Sequence, residues 1–288
     1  MASSPRSTIG RSAPLSDPEG VGAAVEVLAA GGVAAHGFAN MYALTARPDG
    51  TTVGRVNLMK GRPADQVGSI TTTPSRIPSV FDWSGLPSDL TRRQVLDLVD
   101  ALYVLGPFGF RGPAAAQVPD HLTHTDAGVC TTQVIAPGYA CPSNAFLAKA
   151  LAATGEDFLY VTSANRSRKL TGAPEEPAHW RADALKAEFD GEAGITFLEH
   201  ADEDAARRGY PCHAPMSTTV LAFHKTDGRD DDGRVRLVVE RHGSLPVELL
   251  APAVAALGYG LSLSPGAVRR LSQRSYSDDL RIGGGHPG

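Results

Sequence analysis

Lys60-Gly61-Arg62-Pro63 places an ammonium and a guanidinium two residues apart in a segment held by Gly and Pro. Such a pair can grip one polyphosphate, the lysine as a point charge and the arginine as a fork of donors. Thr162-Ser163-Ala164-Asn165-Arg166-Ser167 follows directly on an apolar run ending at Val161. Small hydroxyl and amide groups at a strand's carboxyl end stand where open α/β sheets hold ligands. A third collection joins Met216-Ser217-Thr218-Thr219-Val220 to Glu240-Arg241-His242-Gly243-Ser244. Taken singly, each also has an ordinary reading: a solvated loop, a turn capped by its own side chains, and a hairpin.

The surrounding periodicity supplies the elements that must position these groups. Asp17-Pro18-Glu19 starts a helix with Val21, Val25 and Leu28 on one face, Gly31-Gly32 ends it, and Val33 to His36 reads as a strand. Thr91 and Gln94 have capping-box spacing ahead of Val95, Leu98, Val99 and Leu102. A third helix is predicted over Ser143 to Thr154, closed by Gly155, and feeds a strand over Phe158 to Val161. Strands over Thr218 to Phe223 and Val235 to Glu240 flank the polar run Asp227 to Arg234, read as a solvated turn. Ser244 and Pro246 start a helix through Leu257, and Pro265 to Gln273 reads as a last basic one. Gly106 to Gly128 shows no convincing period and reads as a long loop able to close over a ligand. Alternating helices and strands give an α/β class, an open twisted sheet covered by helices.

Of the 288 residues, 27 are Lys or Arg and 31 are Asp or Glu, a net charge of −4 that argues against coating nucleic acid or an anionic membrane. Cys130, Cys141 and Cys212 form no CxxC pair, so neither a disulfide framework nor a thiolate zinc site is indicated, and a reducing compartment fits. The apolar stretch Val21 to Ala35 is interrupted by Glu26 and too short to span a bilayer, and the first twenty residues lack the apolar core of a secretory signal. The expectation is a soluble cytoplasmic protein with no membrane partner. Its single domain should span residues 16–273, between loose tails at 1–15 and 274–288.

In order and separation, the three collections resemble the YrdC-type family of threonylcarbamoyl-adenylate synthases and YrdC-like carbamoyltransferase domains. The resemblance runs from about Asp17 to Leu250. The family's K-x-R matches Lys60 and Arg62, T-S-A-N-x-S matches Thr162 to Ser167, S-T-V is similar to Ser217-Thr218-Thr219-Val220, and R-x-G matches Arg241 to Gly243. It implies a YrdC-like fold with a concave nucleotide-binding cleft, and ATP-dependent adenylyl transfer to a carbamate or carboxylate with release of pyrophosphate. ATP with Mg²⁺ and bicarbonate, or carbamoyl phosphate, would meet a small amine or amino acid there. By the same resemblance, Lys60 and Arg62 carry the electrostatic work on the triphosphate, while Thr162, Ser163, Asn165, Ser217 and Arg241 hold the nucleotide. A different class of reading is a non-catalytic module that binds RNA in the same cleft.

The chain departs from that family where a P-T-(D/E)-T-x-Y-G-L loop would stand. Gly37 to Leu44 keeps only Tyr42 and Leu44, with Phe38, Ala39 and Asn40 replacing hydroxyls and an acid. The substrate should therefore differ from threonine, with His36, Phe38, Asn40 and Tyr42 as the substrate-facing candidates. For His36 the plain alternative is a half-buried residue at a strand end. The family's v-R-x-P arginine is absent from Gln133 to Pro137, and Arg166, Arg168 and Lys169 are either compensating cations or a solvated basic turn. His121, His124, Asp126 and Cys130 lack the spacing of known zinc motifs and are read as loop residues, with no metal held by the chain itself.

Overall fold

A computed structural model describes residues 12–167 and 178–271. Its framework is one mixed, twisted sheet. In chain order the elements are β1 (Ser12–Pro14), α1 (Pro18–Ala29), β2 (Val33–Phe38), β3 (Met41–Ala46), α2 (Gly50–Met59), β4 (Ser69–Thr71), α3 (Arg92–Leu105), β5 (Phe108–Pro113), β6 (His124–Asp126), β7 (Val129–Ala136), α4 (Ser143–Thr154) and β8 (Leu159–Ser163). There follow α5 (Ala182–Glu188), β9 (Ile195–Glu199), α6 (Glu203–Gly209), β10 (Val220–Arg229), β11 (Val235–Arg241), α7 (Val247–Ala256) and β12 (Gly260–Leu263). Neighbours across the sheet run β1-β9-β2-β3-β8-β4-β7-β5-β10-β11-β12, and β6 hangs on β7.

The helices start and stop where local chemistry directs. Asp17 caps α1 by accepting from the backbone N–H groups of Glu19 and Gly20, and Pro18 occupies the first turn, where a missing N–H costs nothing. Thr91 and Gln94 form the capping box of α3. Gly155 ends α4 in the left-handed region at φ 71°.

Alternation along the strands sorts side chains to two faces. Val33, Ala35, Leu44, Val134 and Phe110 join a core with Val53 and Val56 of α2, Val95 and Leu98 of α3, and Leu250 of α7. Ala34 and Leu159 turn the other way and pack against Val21, Ala24 and Leu28 of α1 and Phe146, Leu147 and Leu151 of α4. Beyond that helix pair a smaller apolar cluster of Phe38, Met41, Ala43, Val161 and Ala178 continues on the second face. The remainder of that face is open, and it is where the cleft lies.

Several sequence expectations are corrected. Gly106 to Gly128 is not a loop: it contains β5, paired antiparallel with β7 and parallel with β10, and also β6. Its period was hidden because glycines take the positions where a neighbour presses in. A Cβ at Gly109 would stand 2.7 Å from Val220 Cγ2, and one at Gly112 would stand 2.8 Å from Phe81 Cδ1. The polar run from Asp227 is partly strand, because β10 extends to Arg229. β1 pairs in parallel with β9, so Ser12–Pro14 belongs to the sheet rather than to a loose tail. Residues 265–271 form turns instead of a helix, and the Arg270 guanidinium donates to the carbonyls of Gly243 (3.1 Å) and Ser244 (2.8 Å). Leu15 is likewise ordered, buried beside α1 with its N–H donating to the Glu199 carbonyl, while residues 1–11 and 272–288, and Arg168 and Lys169, lie outside the described residues. Among the described residues, no helix is long and apolar enough to cross a membrane.

Candidate functional site

A cleft of about 420 Å³ crosses the open face from β3 to the end of β11. Arg62, Thr162 and Ser163 stand at one end, and Ser217, Thr218 and Arg241 at the other. The floor between them is made by strand alternation. Thr131, Gln133 and Ile135 of β7 all line the cleft, while Val134 and Ala136 point into the core. Arg111 of β5 is the register partner of Gln133, and its Nη2 donates to Gln133 Oε1 at 3.0 Å. Gln133 Nε2 in turn donates to Ser69 Oγ at 2.8 Å. A polar row thus spans three adjacent strands, β4, β7 and β5. Arg62, Arg111 and Arg241 bring three guanidinium groups to a lining that includes no carboxylate.

At the first end, Thr162 Oγ1 accepts from Lys60 Nζ and from Arg62 Nη1, both at 3.0 Å. Lys60 also donates to the Ser163 carbonyl and is fully buried, so it braces the strand end from behind while Arg62 lines the cleft. Asn165 is buried and its amide donates to the Arg166 carbonyl at 2.9 Å, so it shapes the turn and does not line the cleft. Arg166 reaches Glu192 (2.8 Å) and the Met59 carbonyl (2.8 Å), which makes it a fastener of that turn. At the other end Arg241 donates to the Thr218 carbonyl through Nε (2.6 Å) and to its hydroxyl through Nη2 (3.1 Å). Gly243 permits that fit, because a Cβ there would lie 2.1 Å from the Ser217 carbonyl oxygen.

The altered loop is the two-residue turn of the β2–β3 hairpin. Ala39 has φ 57° and its N–H donates to Cys141 Sγ at 3.2 Å, and Asn40 Nδ2 donates to the His213 carbonyl at 2.8 Å. Asn40 therefore pins the turn and is not part of the lining. Phe38 lines the cleft wall although it is only 1% exposed, and Tyr42 lines it while sending its hydroxyl to Glu203 (2.9 Å). Burial pushes the Tyr42 phenol above its ordinary range, so it acts as a neutral donor. His36 is brought elsewhere. It is fully buried against Phe146, the Thr45 hydroxyl donates to Nε2 at 2.8 Å, and the Gly37 carbonyl accepts from Nδ1 at 3.0 Å. Burial lowers its pKa to about 4.

The four residues weighed for zinc are not gathered. His121 bonds the Pro48 carbonyl at 2.7 Å, His124 faces the cleft, and Cys130 is exposed. Asp126 instead meets His224 and Glu240, with ligand atoms within 4.8 Å of one another. The Lys225 ammonium occupies that site, 2.5 Å from Asp126 and 2.7 Å from Glu240, so the chain supplies its own cation. Consecutive residues His224 and Lys225 reach the same partners because the β10–β11 register shifts between Leu221 and Thr226. Lys225 holds the Asp126 carboxyl far below the usual carboxylate range.

Arg111, Gln133 and Ser69 escaped the sequence reading as lining residues. The available signals were Arg111 standing as the one charge in the Gly- and Ala-rich run Gly106 to Pro119, and the alternation of Thr131, Gln133 and Ile135.

The sequence matches no protein-family model, and no curated protein matches it by sequence. Solved structures do match. P. abyssi Sua5 complexed with L-threonine superposes with a TM-score of 0.60 at 18% identity over 88% of this chain. A hypothetical protein from Streptococcus mutans superposes with a TM-score of 0.63 at 13% identity, covering 89% of this chain and 98% of its own. The chain has a YrdC-like fold. E. coli YciO is similar at a TM-score of 0.51 and 15% identity, over 74% of this chain and 88% of its own. The chain spans 62% of the length of the Sua5 structure. On the YrdC-like sheet, the K-x-R, T-S-A-N, S-T and R-x-G segments all lie at or beside the one cleft.

Proposed function

We propose that this chain binds ATP in the cleft and transfers its adenylyl group to a carbamate or carboxylate, releasing pyrophosphate. The observation that carries this reading is a lining with three guanidinium groups and no carboxylate, on a chain of net charge −4. A polyanion is the ligand such a surface favours, since cations in a partly desolvated cleft attract charge far more strongly than in water. About 420 Å³ is within the range of small-molecule sites.

In this reading Arg62 and the Thr162–Ser163 strand end hold the phosphates, and Ser217, Thr218 and Arg241 hold the nucleoside side. Lys60 keeps the strand end in place. The acceptor's oxygen attacks the α-phosphorus, the new O–P bond forms as the bond to the β-phosphate oxygen breaks, and the electron pair leaves with pyrophosphate. No protein base is required, because the attacking acid is already ionised. The lining offers no carboxylate to cage Mg²⁺, so the ion would arrive on the nucleotide and keep its waters.

Pyrophosphate release from ATP and bicarbonate across an amino-acid panel tests the reading. Amine-dependent release is the expected result. Salt-sensitive RNA binding without turnover would replace it with a non-catalytic module, and release only with carbamoyl phosphate would move the acceptor.

A further inference from the structure

The polar row on the cleft floor has no counterpart in the motifs that suggested a nucleotide. Arg111 is held from one side by Glu240, Nε to Oε2 at 2.7 Å, and from the other by Gln133. Glu240 is itself fixed by Lys225, and Gln133 spends both ends of its amide on Arg111 and Ser69. A guanidinium carries five N–H donors. One is engaged by Gln133, and Nε is ion-paired with Glu240, while the side chain remains 23% exposed and borders the cleft. The floor therefore presents a preoriented fork of donors. Clamped on two sides, it loses little freedom when an acid arrives.

Its place distinguishes it from the phosphate end. Thr162 and Ser163 lie on β8, and β4 and β7 intervene before β5. Three strand steps at the usual sheet spacing amount to about 14 Å between backbones. Beside Arg111 the floor becomes apolar. Ile135 is two residues along β7 from Gln133, faces the same way, and packs against the cluster of Phe38, Met41, Ala43 and Val161.

We infer that Arg111 anchors the non-reacting carboxylate of an amino acid whose apolar side chain lies along Ile135, toward the cluster that Ile135 packs against. The inference rests on the adenylyl-transfer reading for the identity of the other ligand, but not for the anchor itself. It makes Glu240 and Gln133 positioning residues, since they act through Arg111.

Leucine, leucinamide, threonine and phenylalanine serve as probes, with wild type, Arg111→Met, Arg111→Lys and Glu240→Gln. Calorimetry with ATP present measures binding, and pyrophosphate release measures turnover. For wild type, leucine and phenylalanine should bind at least tenfold better than threonine, and leucinamide about 10- to 100-fold worse than leucine, the range for a hydrogen bond to a charged group. In Arg111→Met, leucine should fall to the level of leucinamide, while ATP, which keeps Arg62 and Arg241, should lose affinity by a clearly smaller factor. Arg111→Lys should restore part of the preference for leucine over leucinamide, which a merely structural role would not. Equal losses for leucine and leucinamide, equal losses for ATP and leucine, or no amino-acid binding by wild type would each overturn the inference. Arg111-dependent leucine binding without pyrophosphate release would instead remove the adenylyl-transfer reading and leave the anchor standing. Melting curves of each variant exclude loss of fold as the cause.

Discussion

Lys60 and Arg62 converge on one atom, the Thr162 hydroxyl oxygen, each at 3.0 Å, the lysine from behind β8 and the arginine from the cleft. Residues two apart thus do different work. Lys60→Met leaves the Ser163 carbonyl and the Thr162 hydroxyl without their buried donor, and should cost about 1–3 kcal/mol of stability. Arg62→Ala should cost less than about 1 kcal/mol but weaken ATP binding roughly tenfold or more. Denaturant melts and nucleotide titration of both variants check the division. Equal stability losses would contradict it.

The pH dependence of folding should carry the signature of His36. Its folded pKa of about 4 lies below the ordinary 6.5, so between those values the unfolded chain binds a proton that the folded chain refuses. Stability is therefore full above about pH 6.5 and falls on acidification, by about 2 kcal/mol from this group at pH 5. His213, also lowered by burial to about 4, adds to the loss in the same window. Urea denaturation at pH 7.5 and pH 5, for wild type and His36→Asn, should show a shallower pH slope in the variant.

Phe38 is both wall and core. At 1% exposure among Met41, Ala43 and Val161, its removal opens a cavity. Phe38→Ala should destabilise by about 3–5 kcal/mol, and Phe38→Leu by less. The double change Phe38→Thr with Asn40→Thr should lower the melting temperature as well as alter amino-acid preference, because Asn40 pins the turn through the His213 carbonyl. A stable double variant with unchanged selectivity would remove Phe38 from the site.

Two glycines give opposite expectations for the same substitution. Gly243→Ala puts a Cβ 2.1 Å from a backbone oxygen, and the strand end carrying Arg241 must shift, with loss of both stability and nucleotide binding. Gly22 lies within α1 with nothing within 4 Å of a new Cβ, so Gly22→Ala should raise stability by about 0.5–1 kcal/mol. Thermal melts of the pair test the packing on both sides.

The α/β class, the bounds of α1 and α4, the start of α3 and the position of Thr162 and Ser163 at a strand end beside the cleft were legible from the chain alone, while Arg62, Ser217 and Arg241 came to the same cleft only through the family resemblance. Caps, helical spacing and small polar residues after a strand are local signals, and local sterics and hydrogen bonding decide them. The roles of Lys60, Asn40, Asn165 and His36 were not, because whether a polar side chain meets a ligand or a neighbouring strand depends on contacts distant in sequence. Thr162 lies 102 residues from Lys60, and His213 lies 173 from Asn40. Arg111 was hidden for the same reason, in a Gly-rich run whose strand character comes from β7 and β10 on either side. Pairing in a sheet is set by partners far along the chain and by the packing between them, so only the folded molecule brought the anchor to the cleft.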